Sequence, residues 1–373
     1  MFLPGFFDSS KYRSPVSIYD DGPRIVIWEM TRACAFACKY CRAKAVPKRD
    51  GRELTTCEAF DLVDEVAAYG RPIFILTGGD PFLRPDVFEI VSYAAHRELR
   101  VALSPSGTSR LTKAALGRVA AAGCRRMSLS IDGPDAQTHD AFRGVQGTFE
   151  QTLAAAAHAR EAGIELQITT TVARHNHTRL REIAALIPQL DASVWTAFFL
   201  VPTDRPQIED CLDAAGFEAA FAELFDIWKD APFIVTTTEA PHFRRFVAQQ
   251  AALLPPDQRP SKADHVRFPA IGDGKGFVFV SHTGDIFPGG FLPLLAGNVR
   301  EQRLIEVYRN DPTFARLRDP DRTNGKCGRC DFRQMCGGSR ARAYGFSGNP
   351  FDSEPCCSYE SPAYLASRES VSA

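Results

Sequence analysis

The chain has 373 residues, of which 45% are hydrophobic, so it is long enough for one large domain and a smaller one around a substantial core. Its 44 basic and 45 acidic residues nearly cancel, which excludes an overall electrostatic case for nucleic acid or an anionic membrane as partner. No run approaches the length of a membrane span, and residues 1–8 lack the features of a secretory signal, so we expect a cytoplasmic protein.

Between residues 24 and 202, short apolar runs alternate with longer segments whose apolar residues recur at helical spacing. The predicted strands are Ile25–Trp28, Ile73–Leu76, Arg100–Ser104, Arg126–Ile131, Glu165–Val172 and Val194–Val201. The predicted helices are Thr56–Tyr69, Pro85–Arg97, Thr112–Ala122, Thr148–Ala162 and Thr178–Leu190. Six successive strand–helix units predict a parallel sheet with right-handed crossovers, either open and doubly wound or curved into a barrel.

After residue 202 this alternation ends, and short strands mix with helices. The predicted elements are a helix over Phe217–Asp230, a strand over Phe233–Thr238, a helix over His242–Leu254, a hairpin of Gly276–Ser281 and Asp285–Phe287, and a helix over Leu304–Leu317. A polar, proline-bearing connection at 255–264 separates the two groups of elements.

The 11 cysteines cluster at two places, which in a cytoplasmic chain indicates metal or iron–sulfur ligation rather than disulfides. Cys34, Cys38 and Cys41 follow the first predicted strand with the spacing CxxxCxxC. Three thiolates can hold a four-iron cluster and leave one iron without a protein ligand, so that this iron can bind a small molecule. From the spacing alone, a zinc site or three unrelated thiols remain alternatives.

The second set begins with Cys327, Cys330 and Cys336 and continues with the adjacent Cys356 and Cys357. This spacing is typical of either a structural zinc or a closed iron–sulfur cluster. The three-cysteine set in the same chain favours a second cluster, for which either member of the adjacent pair can reach as fourth ligand.

Both cysteine sets, with Tyr40 before the last cysteine of the first and the stretch 289–300 before the second, resemble radical S-adenosylmethionine (radical SAM) proteins with a C-terminal SPASM/twitch domain. The resemblance implies an α/β fold, a partial (β/α)6 TIM-type barrel with a small C-terminal α+β SPASM/twitch domain. Six units rather than eight leave the barrel open along one side. We expect an N-terminal extension over residues 1–22, the barrel over 23–215, a connecting helical region over 216–268 and the auxiliary domain over 269–373.

The resemblance implies two 4Fe-4S clusters and S-adenosyl-L-methionine (SAM) as cofactors. The implied cluster ligands are Cys34, Cys38 and Cys41 for the SAM-binding cluster, and Cys327, Cys330, Cys336 and Cys357 for the auxiliary one. We favour Cys357 over Cys356 because residues 355–359 resemble the Pro-x-Cys-x-Tyr ending of the family. Pro288–Gly290 stands where larger SPASM domains carry an extra cysteine, so members with three clusters fit poorly.

The implied SAM contacts follow the second, third and fourth predicted strands: Gly78, Gly79, Asp80, Ser106, Ser130, Asp132 and Arg143. The turn at 78–80 would hold the methionine amino group, because its glycines permit close approach and its carboxylate is an acceptor. The two serines and Asp132 would face the ribose hydroxyls. Arg143 is the candidate partner of the methionine carboxylate, with a solvated surface arginine as the alternative.

The implied function is reductive cleavage of SAM to a 5'-deoxyadenosyl radical that abstracts hydrogen, for oxidative modification such as decarboxylation of a haem-type tetrapyrrole side chain. A peptide maturase and a sugar or aminocyclitol dehydrogenase are alternatives within the superfamily, and a zinc-stabilised binding protein is the alternative outside it. The expected partners are a small-molecule or peptide substrate and a flavodoxin- or ferredoxin-type electron donor. Candidate substrate contacts in the later loops are His139, His175, His177, Asp204 and Arg205.

Overall fold

The computed structural model describes residues 19–36, 38–203, 207–260 and 270–372. Asp204, Arg205 and most of the predicted N-terminal extension lie outside the described residues. The described strands are β1 Ile25–Glu29, β2 Ile73–Thr77, β3 Arg100–Leu103, β4 Arg126–Ser130, β5 Glu165–Val172, β6 Val194–Phe199, β7 Ile234–Thr238, β8 Gly272–Asp273, β9 Gly276–Val280, β10 Asp285–Phe287 and β11 Gly297–Asn298.

The sheet confirms the predicted α/β class. Its strand order is β11-β10-β9-β1-β2-β3-β4-β5-β6-β7, with β8 beside β9. Strands β1 to β7 pair in parallel and follow chain order, as in a βα barrel, whereas a doubly wound sheet reverses its order at a switch point.

The described helices are α1 Thr56–Tyr69, α2 Val87–His96, α3 Lys113–Ala121, α4 Ala136–Arg143, α5 Thr148–Glu161, α6 Leu180–Ala184, α7 Ala214–Asp230, α8 Phe243–Leu253, α9 Leu304–Asn310, α10 Pro312–Arg318, α11 Gly325–Gly328, α12 Arg340–Ser347 and α13 Pro362–Ser372. None of the helices formed by the described residues has the length and apolar character that crossing a membrane requires.

The two faces of the barrel sheet differ in burial. On β4, Met127 and Leu129 are 0% exposed and belong to the same apolar cluster as Leu116 of α3 and Ala155 of α5. Successive side chains of a strand point to opposite faces, so the alternating residues of β4, which are partly exposed, face the barrel interior. The interior is therefore open enough to admit a ligand.

A further strand pairs with each edge of the predicted six-strand sheet. The segment that we assigned to the connecting region forms β7 and pairs with β6, with Ile234 opposite Val194. At the other edge β9 pairs in parallel with β1, with Phe279 opposite Ile27, so the confirmed β9–β10 hairpin joins the barrel sheet. The domain boundaries themselves stay a prediction.

Prolines make two helix predictions wrong in extent. The segment predicted as one helix over 178–190 contains only α6 and two short 3₁₀ turns, the second starting at Pro188. The helix predicted over 304–317 is split into α9 and α10, because Asp311 caps a new helix that starts at Pro312. A proline lacks the N–H that an uninterrupted helix needs.

Helix α4 was not predicted, because its eight residues are mostly polar and give little periodic signal. It begins after Asp135, whose carboxylate accepts the N–H of Thr138 at 2.8 Å, and it ends at Gly144 in a left-handed conformation with φ 70°. Residues four apart share a helix face, so α4 presents His139 and Arg143 together.

The C-terminal segment packs against the carboxyl ends of the barrel strands. In the loop after β10, the ring of Phe291 lies 4.8 Å from that of Phe198 on β6. From α12, the fully buried Arg342 donates to the carbonyl oxygens of Phe199 at 3.2 Å and Leu200 at 3.3 Å. This is the end of a βα barrel at which active sites lie.

Candidate active site

The loop after β1 brings the first three cysteines together. The N–H of Cys34 donates to the carbonyl oxygen of Val46 at 2.9 Å, and the N–H of Val46 donates to that of Arg32 at 2.9 Å, so the loop folds back on itself. Cys34, Cys38 and Cys41 all line one cavity of about 210 Å³. No fourth cysteine lines it among the described residues.

The chemistry of these thiols fits a cluster with an open iron. Burial raises the pKa of Cys34 and of Cys38, and the neighbouring Arg143 opposes the shift at Cys38. The N–H of Phe36 donates to Cys34 Sγ at 3.3 Å. Sulfur donors grouped in a partly buried cavity suit iron–sulfur ligation, and a bound metal would deprotonate them outright.

The glycine turn after β2 lies directly against the cysteine loop. The N–H of Gly79 donates to the carbonyl oxygen of Thr31 at 2.7 Å. A Cβ on Gly78 would lie 2.3 Å from that same oxygen, and a Cβ on Gly79 would lie 2.2 Å from the carbonyl oxygen of Ala33. Only glycine allows this approach, which holds the two loops in one wall of the cavity.

Replacing Gly79 by alanine is expected to lower the free energy of unfolding by about 1–3 kcal/mol, because backbone atoms of the cysteine loop must move. The same shift should weaken SAM binding by at least about tenfold, a difference of about 1.4 kcal/mol. The measurements are denaturant unfolding and equilibrium SAM binding. Gly51→Ala is the control, since its new Cβ meets nothing within 4 Å, and equal behaviour of the two variants would contradict the expectation.

The cavity wall includes most of the predicted SAM contacts but not all of them. Those that line it are Gly78, Gly79, Ser106, Ser130 and Arg143, whereas Asp80 and Asp132 do not. The hydroxyl of Ser106 donates to the carbonyl oxygen of Gly79 at 2.6 Å. The buried Asp80 instead accepts the hydroxyl of Thr108 at 3.0 Å, and burial raises its pKa. Asp80 therefore supports the turn from behind.

Asp132 positions Arg143 at the edge of the cavity. Its buried carboxylate accepts the N–H of Thr171 at 2.7 Å and lies 2.6 Å from Arg143 Nη2. Arg143 Nη1 is 3.9 Å from Cys38 Sγ. Arg143 Nε is buried without a hydrogen-bond partner among the described residues. A cation beside the cysteines with an unused donor fits an anionic group of a ligand.

His139 belongs to the cavity wall, a position that its sequence context did not distinguish from a solvated loop. It is 1% exposed, and its Nδ1 accepts the N–H of Asp132 at 3.1 Å, which leaves the proton of the neutral ring on Nε2. Burial lowers the pKa of His139 to about 4, so the ring is neutral at physiological pH.

This pKa predicts how stability depends on pH. Above the unfolded value of about 6.5, His139 is neutral in both states and has no effect. As the pH falls from about 6.5 to about 4, the unfolded chain binds a proton that the folded chain does not, so the free energy of unfolding decreases. The melting temperature of His139→Gln should fall less steeply than that of the wild type as the pH is lowered over this range. Parallel plots of melting temperature against pH for the two proteins would refute the assignment.

Aromatic rings form another part of the wall, and Arg42 links it to β9. The rings of Tyr40 and Phe142 line the cavity and stack at 4.6 Å. The ring of His175 stacks on that of Phe142 at 4.3 Å but is not among the residues that line the cavity. Arg42, which we did not single out, lines the cavity, lies 2.7 Å from Glu29 Oε2 and stacks 4.6 Å from the ring of Phe279. His177 is not among the residues that line the cavity.

A second, smaller cavity of about 20 Å³ is lined by Cys327, Cys330, Cys336 and Cys357. Cys356 is 2% exposed and points elsewhere, donating its thiol to the carbonyl oxygen of Leu212 at 3.3 Å. Of the adjacent pair, Cys357 is therefore the one placed to complete a four-thiol set.

The surroundings of the second cavity suit a closed iron–sulfur site. Backbone N–H groups donate to Cys327 Sγ at 3.2 Å and to Cys336 Sγ at 3.4 Å, as they do to sulfur ligands of a cluster. Burial raises the pKa of Cys330 to about 12, so its thiol would lose its proton on binding a metal rather than to water. No group of three or more His, Cys, Asp or Glu side chains in the described ranges is arranged to hold a single metal ion. His242 and Arg245, which sequence reasoning left unassigned, also line this cavity.

Comparisons with known proteins agree with this geometry. A model of the radical SAM superfamily matches residues 28–187. The chain is 41% identical to AdoMet-dependent heme synthase of Methanosarcina barkeri over 91% of this chain and 97% of that protein. It is also 41% identical to the protein of the same name from Nitratidesulfovibrio vulgaris, over 93% and 95%. Mycofactocin maturase MftC of Mycobacterium ulcerans is 29% identical over 93% and 92%.

Among solved structures, Streptococcus suis SuiB bound to S-adenosylmethionine matches with a TM-score of 0.71 and 15% identity, covering 90% of this chain and 77% of that chain. At this identity the likeness shows the fold alone. The superfamily match spans the cysteine loop and most of the barrel, and the relatives at 41% identity extend over almost the whole chain. The chain therefore belongs to the radical SAM superfamily, as an enzyme of its SPASM type that uses a 4Fe-4S cluster and SAM.

Proposed function

We propose that this enzyme oxidatively decarboxylates a side chain of a haem-type tetrapyrrole. The observation that carries the proposal is the similarity, over almost the whole chain, to proteins named AdoMet-dependent heme synthase. Three sites formed by the described residues would carry out this reaction. They are a SAM-binding site, a substrate-binding site in the barrel interior and an electron-accepting site.

Cys34, Cys38 and Cys41 would hold the SAM-binding cluster, and the glycine turn with Arg143 would hold the methionine part of SAM. Bound there, SAM would supply the 5'-deoxyadenosyl radical chemistry that removes a hydrogen atom from the substrate. The chain itself has to position the substrate C–H bond and exclude water. The loop around Phe291, whose ring contacts Phe198 of β6, would help to shield the barrel interior from solvent.

The interior of the barrel has two chemically different walls that suit a flat amphipathic substrate. On β4 and β5, Ser128 Oγ lies 2.9 Å from Thr169 Oγ1, so hydroxyl groups form one wall. On the other side Phe279 of β9 stands beside Ile27 of β1 and 6.4 Å from the ring of Phe287. The apolar macrocycle would pack against Phe279 and Phe287. Its carboxylates would accept hydrogen bonds from the hydroxyl groups of Ser128 and Thr169.

The proposed reaction also needs an electron acceptor. When a radical R–CH•–CH2–COO⁻ loses CO2, it forms R–CH=CH2 and releases one electron. The four thiols of Cys327, Cys330, Cys336 and Cys357 would hold a second 4Fe-4S cluster without an open iron, a type of site suited to electron transfer. A flavodoxin- or ferredoxin-type protein is the proposed donor of the electron that SAM cleavage consumes.

The test is anaerobic reconstitution followed by incubation with SAM, dithionite and an iron porphyrin that carries propionate side chains. We expect about eight iron per chain, 5'-deoxyadenosine, and a porphyrin product lighter by CO2 and two hydrogen atoms for each side chain. The same mixture without SAM is the control. Reductant-dependent cleavage of SAM with no change in the porphyrin would contradict the tetrapyrrole substrate while leaving the radical SAM chemistry intact.

A peptide substrate is the second candidate, because the chain is also similar over its length to mycofactocin maturase MftC. A gene for a short precursor peptide beside this one would favour it. The decisive comparison is mass spectrometry of that peptide and of the porphyrin after incubation with the same reconstituted enzyme. Modification of the peptide alone would replace the tetrapyrrole proposal.

A further inference from the structure

His242 is a buried histidine without a hydrogen-bond partner among the described residues. It stands immediately before α8, is 1% exposed, and has two ring nitrogens that are both buried and unpartnered. Its ring packs 4.9 Å from that of Phe217 and 4.8 Å from that of Phe221, and it lines the four-thiol cavity. An imidazole carries at least one N–H in either protonation state, and buried polar groups in proteins are nearly always hydrogen-bonded.

Arg245 repeats this pattern one helical turn later. Its Nη1 donates to Gln249 Oε1 at 2.9 Å and lies 3.2 Å from Glu218 Oε2, which orients the guanidinium. Its Nε is buried and has no partner in the part of the chain that the structure describes. Arg245 lines the same four-thiol cavity, and residues three apart lie on one side of a helix. Two N–H groups that have no partner in the described ranges therefore border the cavity, one just before α8 and one within it.

We propose that His242 and Arg245 donate N–H···S hydrogen bonds to the auxiliary 4Fe-4S cluster. The inference rests on the second cluster that the proposed function includes. Sulfur atoms of a cluster held by Cys327, Cys330, Cys336 and Cys357 are acceptors that would occupy the cavity both side chains line. This pairing accounts for two buried donors that have no acceptor among the described residues.

Such hydrogen bonds set the redox behaviour of a cluster. Reduction adds a negative charge, which N–H dipoles and the Arg245 guanidinium stabilise, so both residues raise the reduction potential. A raised potential makes the auxiliary cluster a better acceptor of the electron that a substrate radical releases. His242 and Arg245 are thus tuning residues for electron transfer, and neither is assigned a contact with substrate.

His242→Phe removes the N–H and keeps the aromatic packing against Phe217 and Phe221. In the reconstituted full-length enzyme, we expect the ratio of reduced to oxidised auxiliary cluster at a fixed potential to fall about tenfold, equal to ~59 mV for a one-electron couple. Pulsed EPR in H2O and D2O should show the loss of an exchangeable proton coupling. Adding SAM should change the EPR signal of the SAM-binding cluster. The signal that SAM leaves unchanged is therefore that of the auxiliary cluster. His96→Phe, an exposed site on α2, is the matched control and should change neither measurement.

Arg245→Lys is the second variant, because it keeps the positive charge and removes the Nε–H donor. The reduction potential of the auxiliary cluster should fall in this variant too. A wild-type protein that binds about four iron would overturn the proposed second cluster itself. About eight iron in the wild type and both variants, with unchanged potential and proton coupling, would overturn only the hydrogen-bonding role of His242 and Arg245.

Discussion

Replacing Arg342 by methionine is expected to lower the free energy of unfolding by about 3–5 kcal/mol, because it leaves the buried charge of Glu354 without its partner. Arg342 is 0% exposed and Glu354 is 1% exposed at the side chain, and their atoms are 3.2 Å apart. The guanidinium also donates to the carbonyl oxygens of Phe199 and Leu200 at the end of β6. Arg342 thus connects the barrel to the segment that carries the last auxiliary cysteines.

Denaturant unfolding of the reduced, metal-free protein measures this effect directly. Arg322→Met is the matched control, since Arg322 is 62% exposed and lies 3.5 Å from Asp319, and its removal should change stability by less than about 1 kcal/mol. Adding Glu354→Gln to Arg342→Met should restore part of the loss, because no lone charge is then buried. Equal stability of Arg342→Met and Arg322→Met would show that the buried pair does not support the C-terminal segment.

Replacing Cys357 by alanine is expected to halve the iron content, from about eight to about four per chain, whereas replacing Cys356 is expected to leave it unchanged. The structure separates these neighbours, because Cys357 lines the four-thiol cavity and Cys356 donates its thiol to the carbonyl oxygen of Leu212. The adjacent cysteine is therefore a control of identical chemistry.

Iron and sulfide analysis after anaerobic reconstitution, with EPR of the reduced protein, distinguishes the two variants. The Cys357→Ala protein should retain the signal that SAM perturbs and lose the other one. Its SAM cleavage in the absence of substrate should persist, because the first cysteine set is untouched. Loss of half the iron from Cys356→Ala instead would mean that the pair exchanges roles on cluster binding, against the geometry described above.

Sequence patterns predicted the barrel strands well, because each is a short apolar run whose one face packs on helices, as Met127 and Leu129 do. Patterns predicted neither α4 nor α12. Their stretches are polar, and α12 carries two buried arginines, Arg340 and Arg342, that only tertiary partners stabilise. Hydrophobic periodicity registers apolar faces and has no signal for a buried ion pair.

In the candidate site, too, local sequence predicted some features, and others depend on tertiary structure. The spacing of Cys34, Cys38 and Cys41 specified a shared loop, since the chain between them is too short to separate them far. Whether a carboxylate faces the ligand or supports a neighbour depends on elements distant in sequence. Asp132 pairs with Arg143 because α4 folds back over the end of β4, a geometry that no local pattern encodes. The cysteines alone predicted the auxiliary site, and no local pattern distinguished His242 and Arg245 as residues that line its cavity.

Reductant-dependent formation of 5'-deoxyadenosine is the most direct test of the central claim, that three thiols after β1 leave one iron open for SAM. The measurement compares the reconstituted enzyme with the variant Cys34→Ala, Cys38→Ala, Cys41→Ala. The account predicts 5'-deoxyadenosine from the enzyme and none above background from the variant, which should still bind about four iron at the auxiliary site. Undiminished 5'-deoxyadenosine from the variant would contradict the account.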